Sequence, residues 1–268
     1  MTERVEITST ANPQVKSVLR LRDRKERDST GLTVVDGARE IRRALDAGVE
    51  VVQAFVHEPA AVGDDATSVL ETLRGLGGWT PVGASVIDRL AFGDRSEGIV
   101  LVARQPRMRL GDLLVADDAV VAVVDGLEKP GNLGAILRSA DGAGIAAVLA
   151  TDPATDLYNP AAIRASIGTI FAVRVVTASA AETLTWLRRG GFRIVAARVD
   201  AVKDYVDVDL TGRTAIVLGS EATGLGEAWT EPDIDTVRLP MLGIADSLNV
   251  SATAAILFYE ALRQRRPG

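Results

Sequence analysis

Ala119-Val-Val-Ala-Val-Val-Asp-Gly-Leu-Glu-Lys-Pro-Gly-Asn-Leu-Gly-Ala-Ile-Leu-Arg138 reads as a strand, a glycine-rich turn and the opening of a helix. The run 119–124 has no polar residue, which predicts a strand buried on both faces, as in a parallel sheet covered by helices. Further strand-like runs stand at 145–150, 194–197, 215–218 and 236–239, and they alternate with helix-like segments at 133–143 and 181–189. The second part of the chain is therefore expected to be α/β, closed by an amphipathic helix over 247–265. The basic end of that helix, Arg263, Arg265 and Arg266, suits the C-terminal dipole.

Ligands of open parallel sheets bind beyond the carboxyl ends of the strands. Three loops stand there: 125–138 above, Leu218-Gly-Ser-Glu-Ala-Thr-Gly-Leu225, and Leu239-Pro-Met-Leu-Gly-Ile-Ala-Asp-Ser-Leu-Asn-Val-Ser251. Taken singly, each has an ordinary structural explanation. Gly131 and Gly134 permit a tight turn with Asn132 as N-cap; Glu221 complements a helix N-terminus; Ser247 caps the last helix, with Asn249 in its first turn. Neither G-x-G-x-x-G nor G-x-x-x-x-G-K-[ST] occurs in these loops, so NAD and ATP are poorly supported as ligands.

The first part reads as a basic amphipathic stretch (12–27), strand-like runs at 32–35, 51–56 and 99–102, a helix at 38–47 and a loop at 59–65. Pro106, Arg107, Arg109 and Gly111 break the pattern at 105–112 and place a linker there. The domains expected are 1–106 and 113–268.

With 268 residues, 47% of them hydrophobic, the chain can bury a real core, and with only 4% aromatics that core must be built from Val, Ala, Leu and Ile. The absence of cysteine removes disulfides, thiolate nucleophiles and zinc fingers together. A polar N-terminus without an apolar core segment, and the lack of any membrane-length apolar run, make a cytoplasmic protein the expectation, with no membrane partner and no metal. The net charge of −6 argues against a protein that simply coats nucleic acid. Its distribution is more informative: Lys16, Arg20, Arg22, Arg24, Lys25 and Arg27 share one segment whose only acids are Asp23 and Glu26. A solvated helix face is the ordinary reading of such a run.

In combination and order, the patterns G-N-x-G-A-x-x-R (131–138), L-G-S-E-x-x-G-L (218–225) and L-P-M (239–241) followed by S-L-N-V-S (247–251) resemble the three signature motifs of the SpoU (TrmH-like) family. These are RNA ribose 2′-O-methyltransferases of the SPOUT superfamily. Arg164-Ala-Ser-Ile-Gly168, with Phe171 and Val173, resembles a segment that the family carries between its first and second motifs. Asn12-Pro-Gln-Val-Lys-Ser and Val34-Val-Asp-Gly-Ala-Arg-Glu resemble the L30e-like RNA-binding domain that precedes the catalytic domain in rRNA-modifying members. Ala222, and Ala140-Asp-Gly after Arg138, depart from the commoner family sequence.

The resemblance implies a C-terminal trefoil knot holding S-adenosyl-L-methionine, a homodimer, and methylation of RNA, with 23S rRNA favoured by the N-terminal domain. It implies Arg138 as the catalytic centre. A guanidinium is a poor base, so fixing a phosphate and stabilising the developing alkoxide is the preferred role, proton abstraction the alternative. Asn132 and Asn249 would orient ribose and arginine, and Glu221 would hold Arg138 or a donor network. Gly219, Leu239, Met241 and Leu248 would form the cofactor pocket through backbone groups, so that side-chain substitutions there are expected to be mild, with Ala197 as a further wall. Lys16, Arg20, Arg22, Arg24, Lys25, Arg164 and Ser247 are the candidate substrate-binding residues. Val250, Ala254, Ile256, Leu257 and Leu262 form an apolar face larger than one sheet needs, which suits the dimer. His57, outside every motif, is expected to be structural or at the surface. The alternatives are a tRNA ribose methyltransferase and a non-catalytic RNA-binding or ribosome-assembly protein. Residue usage and length also resemble actinomycete enzymes that methylate 23S rRNA to resist antibiotics.

Overall fold

The computed structural model describes residues 5–92, 96–220 and 224–266. Contacts divide the chain into two units: Met1–Pro106 with Asp156–Ala172, and Arg107–Thr155 with Val173–Gly268.

In the first unit, α1 (Pro13–Arg20) and α2 (Arg24–Thr30) lead into β1 (Leu32–Asp36), α3 (Ala38–Asp46) and β2 (Val51–Val56). After these come α4 (Asp64–Gly75), β3 (Thr80–Pro81), α5 (Ala84–Leu90) and β4 (Ile99–Arg104). The strands form one sheet in the order β1-β4-β2-β3, with β4 antiparallel to both neighbours and β3 parallel to β2. The stretch 12–27 is two helices rather than one. Asn12 caps the first, and Asp23 accepts from the Lys25 N–H to cap the second after a turn at Leu21. Such short polar caps satisfy helix-start donors and make a break cheap. The expected loop at 59–65 is shorter than foreseen, because α4 already begins at Asp64.

Two elements of this unit come from far along the sequence: α7 (Pro160–Ala165), packed on β1, and α8 (Thr169–Ala172), packed on α3. A reading with consecutive domains separated by one linker does not foresee this excursion. Its cause is specific bonding. Arg27 is 1% exposed; it pairs with Asp156 at 2.6 Å and donates to the carbonyls of Leu21 and Arg22. The Thr33 hydroxyl donates to the Tyr158 carbonyl, and Arg43 donates to that of Ile167. A guanidinium taken out of water, as in Arg27, requires a carboxylate and carbonyl acceptors of this kind.

The second unit is built on β5 (Val120–Asp125), β6 (Ala147–Thr151), β7 (Val175–Ala178), β8 (Arg193–Ala197), β9 (Thr214–Leu218) and β10 (Asp235–Val237), all parallel, in the order β10-β8-β9-β5-β6-β7. Every residue of β5, β6 and β9 is buried, as their unbroken apolar runs require. The helices are α6 (Pro130–Ala143), α9 (Ala180–Arg189), closed by a Ser179/Glu182 capping box, and α10 (Val250–Arg265). On one side Leu149, Leu187, Ile194 and Trp229 make the core. α10 packs along α6 and touches β9. Val250, Ala254 and Leu257 are thereby buried within the chain, so most of the apolar face assigned to a dimer is already covered.

Candidate active site

β5 ends at Asp125, and α6 starts with Lys129 as its N-cap residue and Pro130 in the first turn. Asn132 is therefore inside the first turn of the helix and is not its cap. Arg138, further along α6, is exposed and has no hydrogen-bond partner among the described residues. At the other end of the sequence Asn249 caps α10, its Oδ1 accepting from the Ser251 N–H at 2.9 Å and the Ser251 hydroxyl at 2.6 Å. Ser247 thus precedes the cap, and the final helix begins at Val250.

The Asn249 Nδ2 donates to the Asn132 Oδ1 at 3.2 Å, so the two asparagines from opposite ends of the unit meet. An equal number of residues along each helix, the Tyr259 hydroxyl lies 2.8 Å from the place a Cβ on Gly142 would take. α6 and α10 therefore run parallel and bring both N-termini to the asparagine pair. Helix N-termini present unpaired N–H groups and positive dipole ends, which favour an anion there.

Beyond the ends of β8, β9 and β10 lies a cavity of about 860 Å³. Ala197, Gly219, Leu239, Met241 and Leu248 all line it, together with Ser247. β10 ends at Val237, so Leu239 belongs to the loop and faces the cavity rather than the sheet. Leu218, Leu225 and Val237 supply further apolar wall, while Arg198, Asp200 and Asp246 add charge. Arg198 is paired with Asp200 through both oxygens, at 2.9 and 3.0 Å. Sequence reasoning missed these three and a fourth charged lining residue, Arg238, since no pattern marks a loop residue whose place depends on neighbouring strands. One wall is unusually tight. Ser220 and Gly224 exchange backbone hydrogen bonds of 2.9 and 3.1 Å, and a Cβ on Gly219 would stand 2.4 Å from the Gly224 carbonyl carbon. Glu221, next in sequence after Ser220, lies outside the described residues.

The remaining predicted residues belong to the first unit. Lys16 and Lys25 are exposed; Arg20 pairs with Glu26 at 3.2 Å and Arg24 with Asp28 at 3.5 Å. Arg22 donates to the carbonyls of Arg89 and Ala91. Arg164 donates to Asp36 Oδ2 at 2.8 Å and to the Phe92 carbonyl, bonds that make it a strut within this unit. Burial pushes the Asp36 carboxyl up from its ordinary range, against the pull of the Phe92 N–H and Arg164; burial likewise pushes Glu40 up. His57 holds the Val82 carbonyl through Nδ1 at 3.0 Å, which is a structural role. Among the described residues no group of His, Asp and Glu is arranged to hold a metal, and no helix is long and apolar enough to cross a membrane.

With this geometry in view, the family comparison is decisive: the model of the SpoU rRNA Methylase family matches residues 119–259, more than half of the chain. The chain belongs to the SpoU rRNA methylase family. An MRM3-like substrate binding domain model matches residues 12–101 of this SpoU methylase. A 23S rRNA (uridine(2479)-2′-O)-methyltransferase of Streptomyces viridochromogenes is 32% identical over 92% of the chain and 88% of the relative. Among solved structures, an RNA 2′-O ribose methyltransferase is 44% identical with a TM-score of 0.85, covering 97% of this methylase and 99% of that chain. An AdoMet-bound rRNA methyltransferase from Sinorhizobium meliloti is 27% identical with a TM-score of 0.88, covering 98% and 99%.

Proposed function

We propose that this SpoU methylase transfers the methyl group of S-adenosyl-L-methionine to a ribose 2′-hydroxyl of 23S rRNA. One observation carries the reading: the Asn132–Asn249 hydrogen bond joins the helix bearing Arg138 to the cap of α10, whose flanking residues Leu248 and Val250 both line the cavity. The cavity's volume lies in the range of small-molecule sites, roughly 300–1,000 Å³. Its apolar wall suits a purine, and its charged residues suit an amino-acid end. Loops after three parallel strands converge on it, the arrangement expected of the trefoil knot.

When bound, the cofactor supplies an electrophilic methyl on a sulfonium. What remains for the protein is alignment of a weak nucleophile. Arg138 holds the phosphate next to the target ribose and stabilises charge on the attacking oxygen. Asn132 and Asn249 orient the ribose by amide hydrogen bonds, and Glu221 is assigned the support of Arg138. A non-catalytic RNA-binding protein would have no chemical reason to keep Asn132, Arg138, Glu221 and Asn249 together. The N-terminal match to a substrate-binding domain and the Streptomyces relative favour rRNA over tRNA. Incubation of purified enzyme and cofactor with unmodified 23S rRNA should create one primer-extension stop at low dNTP, at a position that also decides between a housekeeping and an antibiotic-resistance role. No stop on rRNA and methyl transfer to tRNA instead would overturn the substrate assignment.

In the first unit, Lys16 and Lys25 are the RNA-contacting candidates best suited to a test, because Arg22 also holds two carbonyls. Lys16→Glu with Lys25→Glu should weaken RNA binding and flatten its salt dependence by about one unit of slope per lost phosphate contact. Cofactor affinity should not change. An unaltered slope would return the segment to a solvated helix face. The proposed assembly is a homodimer. Its support is the set of apolar side chains still open to solvent at Leu242, Ile244 and Tyr259, not the buried face of α10.

A further inference from the structure

Asp125 ends β5 and opens the loop that leads to Asn132 and Arg138, yet no role above uses it. Its side chain is buried. Oδ1 accepts from the Thr151 hydroxyl at 2.6 Å, at the end of β6, and Oδ2 accepts from the Gly226 N–H at 3.0 Å, in the loop after β9. Because β5 lies between β9 and β6, this one carboxylate ties together the carboxyl ends of three adjacent strands. The approach is close: a Cβ on Gly226 would stand 3.2 Å from Oδ2.

Gly226 directly follows Gly224 and Leu225, which line the cavity, and Gly224 is closed onto Ser220 by paired backbone bonds. We propose that Asp125 is a positioning residue for the cofactor site, an inference that rests on the cofactor reading of the cavity. Thr151 holds the carboxylate in orientation, the carboxylate anchors Gly226, and Gly226 fixes the neighbouring wall residues Gly224 and Leu225, with Ser220 bonded to Gly224, against the end of β5. Asp125 itself does not line the cavity, so it acts through that loop. A carboxylate accepts at both oxygens and therefore matches two donors. Asparagine can keep both bonds, since its oxygen accepts from Gly226 while its NH₂ donates to the Thr151 hydroxyl. Alanine leaves both donors without this partner.

The test uses the full chain, with S-adenosylhomocysteine binding by calorimetry and steady-state methylation of an rRNA fragment. Asp125→Ala should weaken binding at least about tenfold and raise KM for the cofactor by a similar factor, the scale of one or two lost buried hydrogen bonds. kcat at saturating cofactor should change less than about threefold, because the Arg138 side of the site is untouched. Asp125→Asn should stay within about threefold of the unaltered chain, whereas Thr151→Val, which lets the carboxylate turn, should weaken binding about threefold or more. Unchanged affinity in folded Asp125→Ala, with or without a lower melting temperature, would overturn the inference. Should that variant not fold, unchanged affinity in Thr151→Val overturns it. If the unaltered chain itself binds no S-adenosylhomocysteine, the cofactor reading falls first, and the inference with it.

Discussion

Arg138→Ala should lower single-turnover methylation by at least about two orders of magnitude, the scale for losing one preorganised electrostatic group. The proposed role predicts a clean separation of chemistry from binding. Arg138 does not line the cavity, whose walls come from the loops after β8, β9 and β10, so calorimetry should find cofactor affinity unchanged in the variant. Arg138→Lys should rescue poorly, because a point charge cannot reproduce the paired hydrogen bonds of a planar guanidinium to a phosphate. Near-normal single-turnover methylation by Arg138→Ala would make the residue structural. The roles assigned to Asn132 and Asn249 would then fail with it, while family membership would stand.

Gly219→Ala should lose cofactor affinity by about tenfold to a hundredfold, as forced overpacking of about 1–3 kcal/mol implies. This reverses, for one position, the expectation that substitutions in the pocket are mild. The new methyl would meet the carbonyl carbon of Gly224 at 2.4 Å, its oxygen at 2.5 Å and the Leu225 N at 2.6 Å, all backbone atoms within a turn closed by its own hydrogen bonds. No flexible side chain is there to swing away, so the turn itself must move, and it is a wall of the cavity. Leu239→Val or Leu248→Met, by contrast, should change affinity less than about threefold, since both positions already carry a Cβ in the cavity wall and the replacements keep apolar character. Equal losses at all three positions, measured by calorimetry with S-adenosylhomocysteine, would show that side-chain bulk rather than backbone clearance governs the pocket.

The expected cofactor wall illustrates what could be read early. The ordered motifs supply Gly219, Leu239, Met241 and Leu248, the end of a strand-like run supplies Ala197, and the structure brings all five to one cavity. The substrate assignments were less legible. Arg164 and Arg22 look like any basic residues in a chain that meets RNA, but their guanidinium groups are engaged with Asp36 and with main-chain carbonyls. A charge in sequence does not show which acceptors the fold will place beside it. Glu221 lies outside the described residues, so its part rests on the motif alone.

By itself the sequence determined which segments become buried parallel strands, because the unbroken apolar runs at β5, β6 and β9 admit no solvent-facing side. Local capping chemistry was less decisive: Asn12, Asp23 and Ser179 do start helices, whereas Asn132 and Ser247, the caps that sequence suggested, do not. Only the tertiary structure decided that residues 156–172 return to the first unit, that Asn132 meets Asn249, and that Asp125 reaches Gly226. Those three depend on strand order and on partners about a hundred or more residues away. Local periodicity carries no record of such pairings; they are set by which strands lie side by side in β10-β8-β9-β5-β6-β7, and by the tendency of buried charges and backbone N–H groups to be paired.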